Sequence, residues 1–186
     1  YVNLPVTRGS TVVFPSVDSM NRNGLERYEH ASIYGAMGSP VQHELEKVIA
    51  TMEGGTDCQI VSSGLAACTL PLMAFLNAGD HCLLSDNIYG PTRRFAQSVL
   101  KRFGVDISYF PPMADKETLE SHLRPNTRVI FAESPGSHPF EVQDTPILAA
   151  VAHAHGATLF MDNPWGFGLF PPFEPGVDVS IPSRTQ

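Results

Sequence analysis

Apolar residues recur at helical spacing over residues 40–52, where Val41, Leu45, Val48, Ile49 and Met52 follow Pro40 in the first turn. Gly54-Gly55 closes that helix. Before it, residues 1–38 are polar with little sustained periodicity, so they are expected to be irregular. After it, short apolar runs alternate with longer helical patterns. Strands are expected near 58–61, 81–84, 105–110, 128–132, 158–161 and 177–181. Helices are expected between them, near 64–76, 91–103, 115–123 and 145–155. Strands separated by helical runs imply right-handed crossovers. The expected class is α/β: a mostly parallel sheet with helices on both faces.

Composition narrows the partners. The 186 residues fit one domain, and 42% hydrophobic against 17% charged content suits a globular chain with a sizeable core. The net charge of −7, with no basic cluster, argues against nucleic acid or an acidic membrane surface as partner. No apolar run is long and unbroken enough to span a bilayer. Tyr1 opens the chain without an initiator Met or a signal-peptide pattern, so the N-terminus reads as cut. Cys58, Cys68 and Cys82 are odd in number, lack CxxC spacing and sit in apolar segments. They are expected to be buried, reduced thiols of a cytoplasmic protein. The histidines suggest no metal site: His153 and His155 point to different faces, and neither HExxH nor a Cys/His ligand set occurs.

In a parallel sheet the ligand lies beyond the carboxyl ends of the strands, so the residues there carry the candidate chemistry. Ser62-Ser63-Gly64-Leu65 is a small-residue turn entering a helix. Its free N–H groups and the helix dipole favour an anion, although such turns also serve as plain caps. Tyr89, after the second predicted strand, offers a flat face for stacking on an aromatic ligand or for packing. Glu133, after the fourth, is placed to orient a neighbour or to make a structural hydrogen bond. Asp162, after the fifth, is the best single clue. A carboxylate against a pyridine nitrogen keeps that nitrogen protonated, and the ring then accepts electrons from a carbanion. The same Asp also reads as a turn cap. Ser183 and Thr185, after the sixth, offer hydroxyls to a phosphate or to solvent.

Taken in order, these pieces resemble one family. Tyr34-Gly35 with Gly38-Ser39-Pro40, Glu53-Gly54-Gly55, Ser63-Gly64-Leu65-Ala66-Ala67, Gly79-Asp80-His81, Tyr89-Gly90, Glu133-Ser134-Pro135 and Asp162-Asn163 match the Cys/Met-metabolism group of fold-type I pyridoxal-phosphate (PLP) enzymes. Two details resemble its β-lyase branch: Gly136-Ser137 after Glu133-Ser134-Pro135, and Trp165 after Asp162-Asn163. The resemblance implies a carbon–sulfur lyase acting on cystathionine or a related sulfur amino acid, with homocysteine, pyruvate and ammonia as products. Related γ-synthases and γ-lyases are the alternative within the family. It implies a partial PLP-binding large domain over residues 39–186, with the C-terminal domain absent. Residues 1–38 would contact a neighbouring subunit in a homotetramer built from dimers. Gly64 and Leu65 would give N–H groups to the phosphate, and Ser183 and Thr185 hydroxyls. Tyr89 would stack on the ring and assist proton transfer, Asp162 would pair with the ring nitrogen, and Tyr34 would reach a neighbouring subunit's phosphate.

Three positions depart from the family pattern. Gln186 stands where the resemblance places the lysine that forms the Schiff base. An amide is not a nucleophilic amine and does not shuttle a proton from substrate Cα. The lysines present, Lys47, Lys101 and Lys116, all fall on predicted helices. Ala36 replaces the family's phosphate-binding arginine. Loss of such a charge-assisted bond, at roughly 1.5–3 kcal/mol, weakens binding by about one to two orders of magnitude. Pro164 replaces a threonine beside the ring-nitrogen partner and removes a backbone donor. Together they point to a non-catalytic relative or fragment as the alternative to a working lyase.

Overall fold

The computed structural model describes residues 5–183. The chain divides into two compact units, Tyr1–Ile60 and Val61–Gln186.

The first unit holds α1 (Val17–Leu25), a 3-10 turn (Gly35–Met37) and α2 (Pro40–Glu53). Helix α1 corrects the expectation of an irregular segment. Ser16 caps it by accepting the Ser19 N–H at 3.1 Å, yet the helix buries none of its residues. Its apolar positions, Val17, Met20 and Leu25, stay exposed, and the polar residues between them outweigh that short stripe in the sequence. Helix α2 forms where its spacing predicts, capped by Ser39 and ended by Gly54 in the left-handed conformation at φ +76°. Its apolar stripe of Leu45, Val48 and Met52 is exposed, whereas His43, Glu46 and Glu53 are buried. The strand expected over 58–61 does not form. The Cys58 N–H donates to the Asp57 carboxylate and the Ile60 N–H to the Glu46 carboxylate. Those donors are spent on side chains rather than on a ladder.

The second unit begins with α3 (Gly64–Phe75) and then runs β1 (His81–Ser85), α4 (Gly90–Phe95), β2 (Asp106–Phe110), α5 (Lys116–His122), β3 (Thr127–Glu133), α6 (Thr145–His155), β4 (Thr158–Asp162) and β5 (Val179–Ile181). The helix expected over 91–103 is present but changes from α4 into a π turn at Ala96–Leu100. All four strand pairings are parallel, in the order β2-β1-β3-β4-β5. The α/β expectation is correct.

Alternation along each strand sends side chains to two cores. Cys82, Leu84, Val129, Phe131, Phe160 and Ile181 meet Cys68 and Leu72 of α3 and Leu100 of the π turn on one face. Leu83, Ile130, Ala132, Leu159 and Met161 meet Leu119 of α5 and Leu148, Val151 and Ala152 of α6 on the other. Helices on both faces explain why the central strands read as continuous apolar runs. Cys68 and Cys82 are buried free thiols as expected, but Cys58 is only partly buried. His81 is fully buried between the Thr127 and Ser108 hydroxyls at 2.8 and 2.6 Å. Burial and then the Arg124 charge push its imidazole down to about 4, so it is a neutral core histidine.

The strand order sets the place for a ligand. Strand β1 is flanked by β2 on one side and β3 on the other, so the chain reverses its direction of winding between β1 and β3. The loops leaving β1 and β3 diverge there and open a crevice at the carboxyl edge.

Candidate functional site

Three segments converge on that edge from the face covered by α3. The first is the start of α3. Ser63 caps it through a 3.1 Å bond from the Ala66 N–H, which leaves the first-turn N–H groups of Gly64 and Leu65 directed outward. A methyl group on Gly64 would lie 2.5 Å from Ser183 Oγ, so the Ser183 side chain stands directly over this turn. The glycine is needed for the close approach. Thus the turn after α3's cap and the hydroxyl after β5, 119 positions apart as 183 minus 64, meet in one cradle. Residues Thr185 and Gln186 lie outside the described residues.

The second segment is the end of β4. Asp162 is 4% exposed, and its carboxylate accepts a hydrogen bond from the Cys68 thiol at 3.4 Å. Burial first, and then the nearby Glu133 charge, push its carboxyl up to about 7, with the Cys68 bond opposing both. Burial and the Asp162 charge push the Cys68 thiol up as well, which keeps it protonated as the donor. Cys68 lies one helical turn after Gly64, so one face of α3 carries both the anion turn and the partner of Asp162. Sequence reading missed Cys68, although this four-residue spacing signals the shared face. Next in the chain, Asn163 is fully buried, and its side-chain amide has no hydrogen-bond partner among the described residues. Its backbone N–H donates to Ile181 at 3.0 Å, tying β4's end to β5.

The third segment crosses the switch point. Tyr89 follows β1, and its backbone N–H donates to Glu133 Oε2 at 2.5 Å. The other oxygen of Glu133 accepts from the Ser137 hydroxyl at 2.6 Å. Glu133 is 2% exposed and pairs in register with Asp162 on β4. Burial raises its carboxyl, partly offset by the Ser137 and Tyr89 bonds. The two carboxylates are therefore neighbours across a ladder, and Glu133 fixes the loop that carries the Tyr89 ring. That ring is 42% exposed at the crevice edge. Beneath the loops, Gln143 bonds the Glu133 N–H, the Ser85 hydroxyl and the Pro112 carbonyl, and Ser85 donates to Asn87. This buried polar network was not foreseen. Its residues come from three distant loops with no common spacing.

The structure thus gathers Gly64, Leu65, Asp162 and Ser183 around the start of α3, with Tyr89 tied to them through Glu133. Tyr34 belongs to the first unit, where it is 52% exposed and pairs with Thr11 through an isolated antiparallel bridge. Trp165 is half exposed and meets Phe140 edge-on, with ring centroids 5.9 Å apart.

Comparison with known proteins supplies the context for this arrangement. The family described as Cys/Met metabolism PLP-dependent enzymes matches residues 1–186. The chain belongs to this family. A cystathionine β-lyase from Bordetella avium is 43% identical over 190 residues, covering 100% of this chain and 47% of that protein. An O-acetyl-L-homoserine sulfhydrylase from Corynebacterium glutamicum is 33% identical over 186 residues, covering 99% of this chain and 42% of that protein. A solved structure from Campylobacter jejuni, named as an O-acetylhomoserine (thiol)-lyase and carrying a pyridoxyl-lysine monophosphate group, superposes with a TM-score of 0.88. It is 28% identical and covers 98% of this chain and 45% of that one. The chain spans about half the length of these relatives. The fold is that of the large domain of fold-type I PLP enzymes.

The residues of this chain fit the family cofactor at two of its three attachment points. The start of α3 suits a phosphate, because Gly64 lets the Ser183 hydroxyl pack against the helix N-terminus and its first-turn N–H groups. The buried Asp162 carboxylate suits a cationic ring nitrogen, which would supply a counter-charge that none of the described residues provides. Position 186, where the resemblance places the anchoring lysine, is glutamine, which does not fit a covalent attachment.

Proposed function

We propose that this chain is the PLP-holding part of a carbon–sulfur lyase of the cystathionine β-lyase kind, and that it binds the cofactor without a covalent anchor. The observation that carries the reading is Asp162, a nearly fully buried carboxylate with a thiol donor and a second carboxylate beside it but no fixed cation among the described residues. Such a group is costly in the folded chain unless a positive ligand atom meets it. Around it, the N–H groups of Gly64 and Leu65 with the hydroxyls of Ser183 and Thr185 take the phosphate. The Tyr89 ring covers the cofactor ring, and Tyr34 serves the phosphate of a neighbouring subunit in an oligomer. Residues 1–38 supply that intersubunit contact, and 39–186 supply the cradle. When bound, PLP supplies an electron sink for a substrate carbanion.

The β-lyase kind is favoured over the γ-synthase and sulfhydrylase kinds by Gly136-Ser137 after Glu133-Ser134-Pro135 and by Trp165. The higher identity to the Bordetella avium β-lyase than to the Corynebacterium glutamicum sulfhydrylase points the same way. The substrate class is then a sulfur amino acid such as cystathionine. Gln186 has no amine to take a proton from substrate Cα, so turnover by the chain as it stands is expected to be negligible.

The test is incubation with PLP and cystathionine, with pyruvate as the readout, for this chain and for the Gln186→Lys variant. The parent is expected to bind PLP reversibly, losing it on dialysis after borohydride treatment. The variant is expected to retain it as a borohydride-stable adduct on Lys. Clear pyruvate formation by the parent overturns the non-catalytic reading. Failure of both chains to bind PLP overturns the cofactor assignment.

A further inference from the structure

The first unit contains a second cluster of ligand-type side chains, none of which has been given a role above. We propose that His30, His43 and Glu46 form a binding site for a divalent transition metal of the zinc class. Each offers one donor atom, and these atoms all lie within 4.8 Å of one another. The sequence showed no such set, because His30 is thirteen positions before His43 as counted along the chain and only His43 and Glu46 share a helical spacing.

The local structure aims all three inward. His43 and Glu46 are three apart on α2 and, with Glu53, are its buried positions, at 5% and 1% exposure for the pair. His30 sits in the turn before it with φ +60°, a left-handed conformation that is uncommon for a side chain bearing a Cβ. Its ring meets the His43 ring edge-on at 5.1 Å. A methyl group on Gly38 would collide with the His43 ring, so the turn leading into α2 is shaped around that imidazole.

The hydrogen bonds around the cluster divide the labour as a metal site requires. Glu46 Oε1 accepts from the Ile60 N–H at 3.0 Å and from the Gln59 and Gln42 amides at 3.2 and 3.3 Å. Those bonds hold the carboxylate and leave Oε2 facing His30 Nδ1 at 3.3 Å. A charge-assisted N–H···O bond favours about 2.7–2.9 Å. Two ligands on tetrahedral zinc, with bonds of about 2.0–2.1 Å, stand about 3.3–3.4 Å apart. The observed spacing matches the second arrangement. On the far side of the His30 ring, Nε2 meets Asp57 Oδ1 at 2.9 Å. A carboxylate on one imidazole nitrogen with the other turned to the ligand position is the arrangement that orients metal-binding histidines.

Charge points the same way. Among the described residues no lysine or arginine pairs with Glu46. The neighbouring Cys58 thiol is pushed up to about 11, first by burial and then by Glu46, Asp57 and Glu53, so three carboxylates bear on this small region. A dication balances that field better than one shared imidazolium. Three protein ligands leave a position for water, and closing the set onto zinc takes a contraction of roughly 1–1.5 Å.

The site lies within the first unit and does not rest on the cofactor reading. The test uses the full chain, stripped with chelator and titrated with Zn²⁺ alone against a competing chromophoric chelator. Co²⁺ is titrated separately as a spectroscopic probe. One zinc per chain and a visible tetrahedral Co²⁺ spectrum are expected. His30→Ala and His43→Ala should each abolish both signals, and the distant His122→Ala should leave them unchanged. Asp57→Asn should weaken zinc about 10–100-fold while keeping circular dichroism unaltered, which separates metal loss from unfolding. No zinc uptake by the parent, or uptake undiminished in the His30 and His43 variants, overturns the proposal and leaves a histidine–carboxylate network.

Discussion

Replacing Asp162 with asparagine keeps the side-chain shape and removes the charge, and its effect on stability can be worked through. In the folded chain the carboxyl titrates at about 7 against an ordinary value of 3.8. Between those values the folded state holds a proton that the unfolded chain has released, so stability falls as pH rises and levels off above 7. With these two constants the carboxyl costs the fold about 2 kcal/mol at pH 5 and about 4 kcal/mol at pH 8. Asparagine carries no such cost and still accepts the Cys68 thiol hydrogen bond. Urea unfolding of cofactor-free Asp162→Asn and parent should therefore differ by only a little near pH 4. The variant's advantage should grow by about 2–3 kcal/mol between pH 5 and pH 8. The same variant should hold PLP more weakly, because the ring nitrogen loses its counter-ion. An advantage independent of pH, or a variant less stable than the parent at pH 8, would refute the assignment of Asp162 as a buried, uncompensated carboxylate.

Two further outcomes follow from the packing. Gly64→Ala places a methyl group against Ser183 and turns its hydroxyl from the helix terminus. PLP or inorganic phosphate binding should weaken by about ten- to a hundredfold, the worth of one hydrogen bond to a charged group, with little change in the melting curve. Phe160→Ala empties a fully buried site between Phe75 and Phe131, whose rings lie 5.1 and 6.3 Å away. Urea denaturation should show a loss of about 3–5 kcal/mol, and a loss under about 1 kcal/mol would contradict the two-core description.

The parts of the structure that were legible in the sequence are those whose pattern is local. Residues 128–132 and 158–161 read as strands because helices cover both faces and every position must be apolar. Asp162 and Tyr89 were singled out because parallel sheets put ligands beyond strand ends, and both lie at that edge of the sheet. The missed parts depend on partners that are distant along the chain. Residues 58–61 have strand composition, but the carboxylates of Asp57 and Glu46 take backbone donors that a ladder needs. Helix α1 has a serine cap and a bond from the Asn23 amide to the Ser32 carbonyl but fully buries none of its residues, so no core contact announces it. The Cys68 bond to Asp162 spans 94 positions and the meeting of Gly64 with Ser183 more, and no periodicity encodes either. Burial of His43 and Glu46 rather than of Leu45 and Val48 reverses the ordinary reading of an amphipathic helix.

The register that sets Glu133 opposite Asp162 has an electrical consequence for ligand capture. Both carboxyls are raised, each first by burial, and the Glu133 charge further opposes ionisation of Asp162. With the Asp162 carboxyl pushed up to about 7, one proton is held at the pair into the neutral range. A phosphate-bearing ligand therefore approaches a pocket wall with about half the negative charge that two free carboxylates would present. Once a ring cation arrives, that proton is the charge displaced. Ligand uptake by this chain should accordingly release protons near neutral pH, in a quantity that depends on buffer pH and vanishes in alkaline solution.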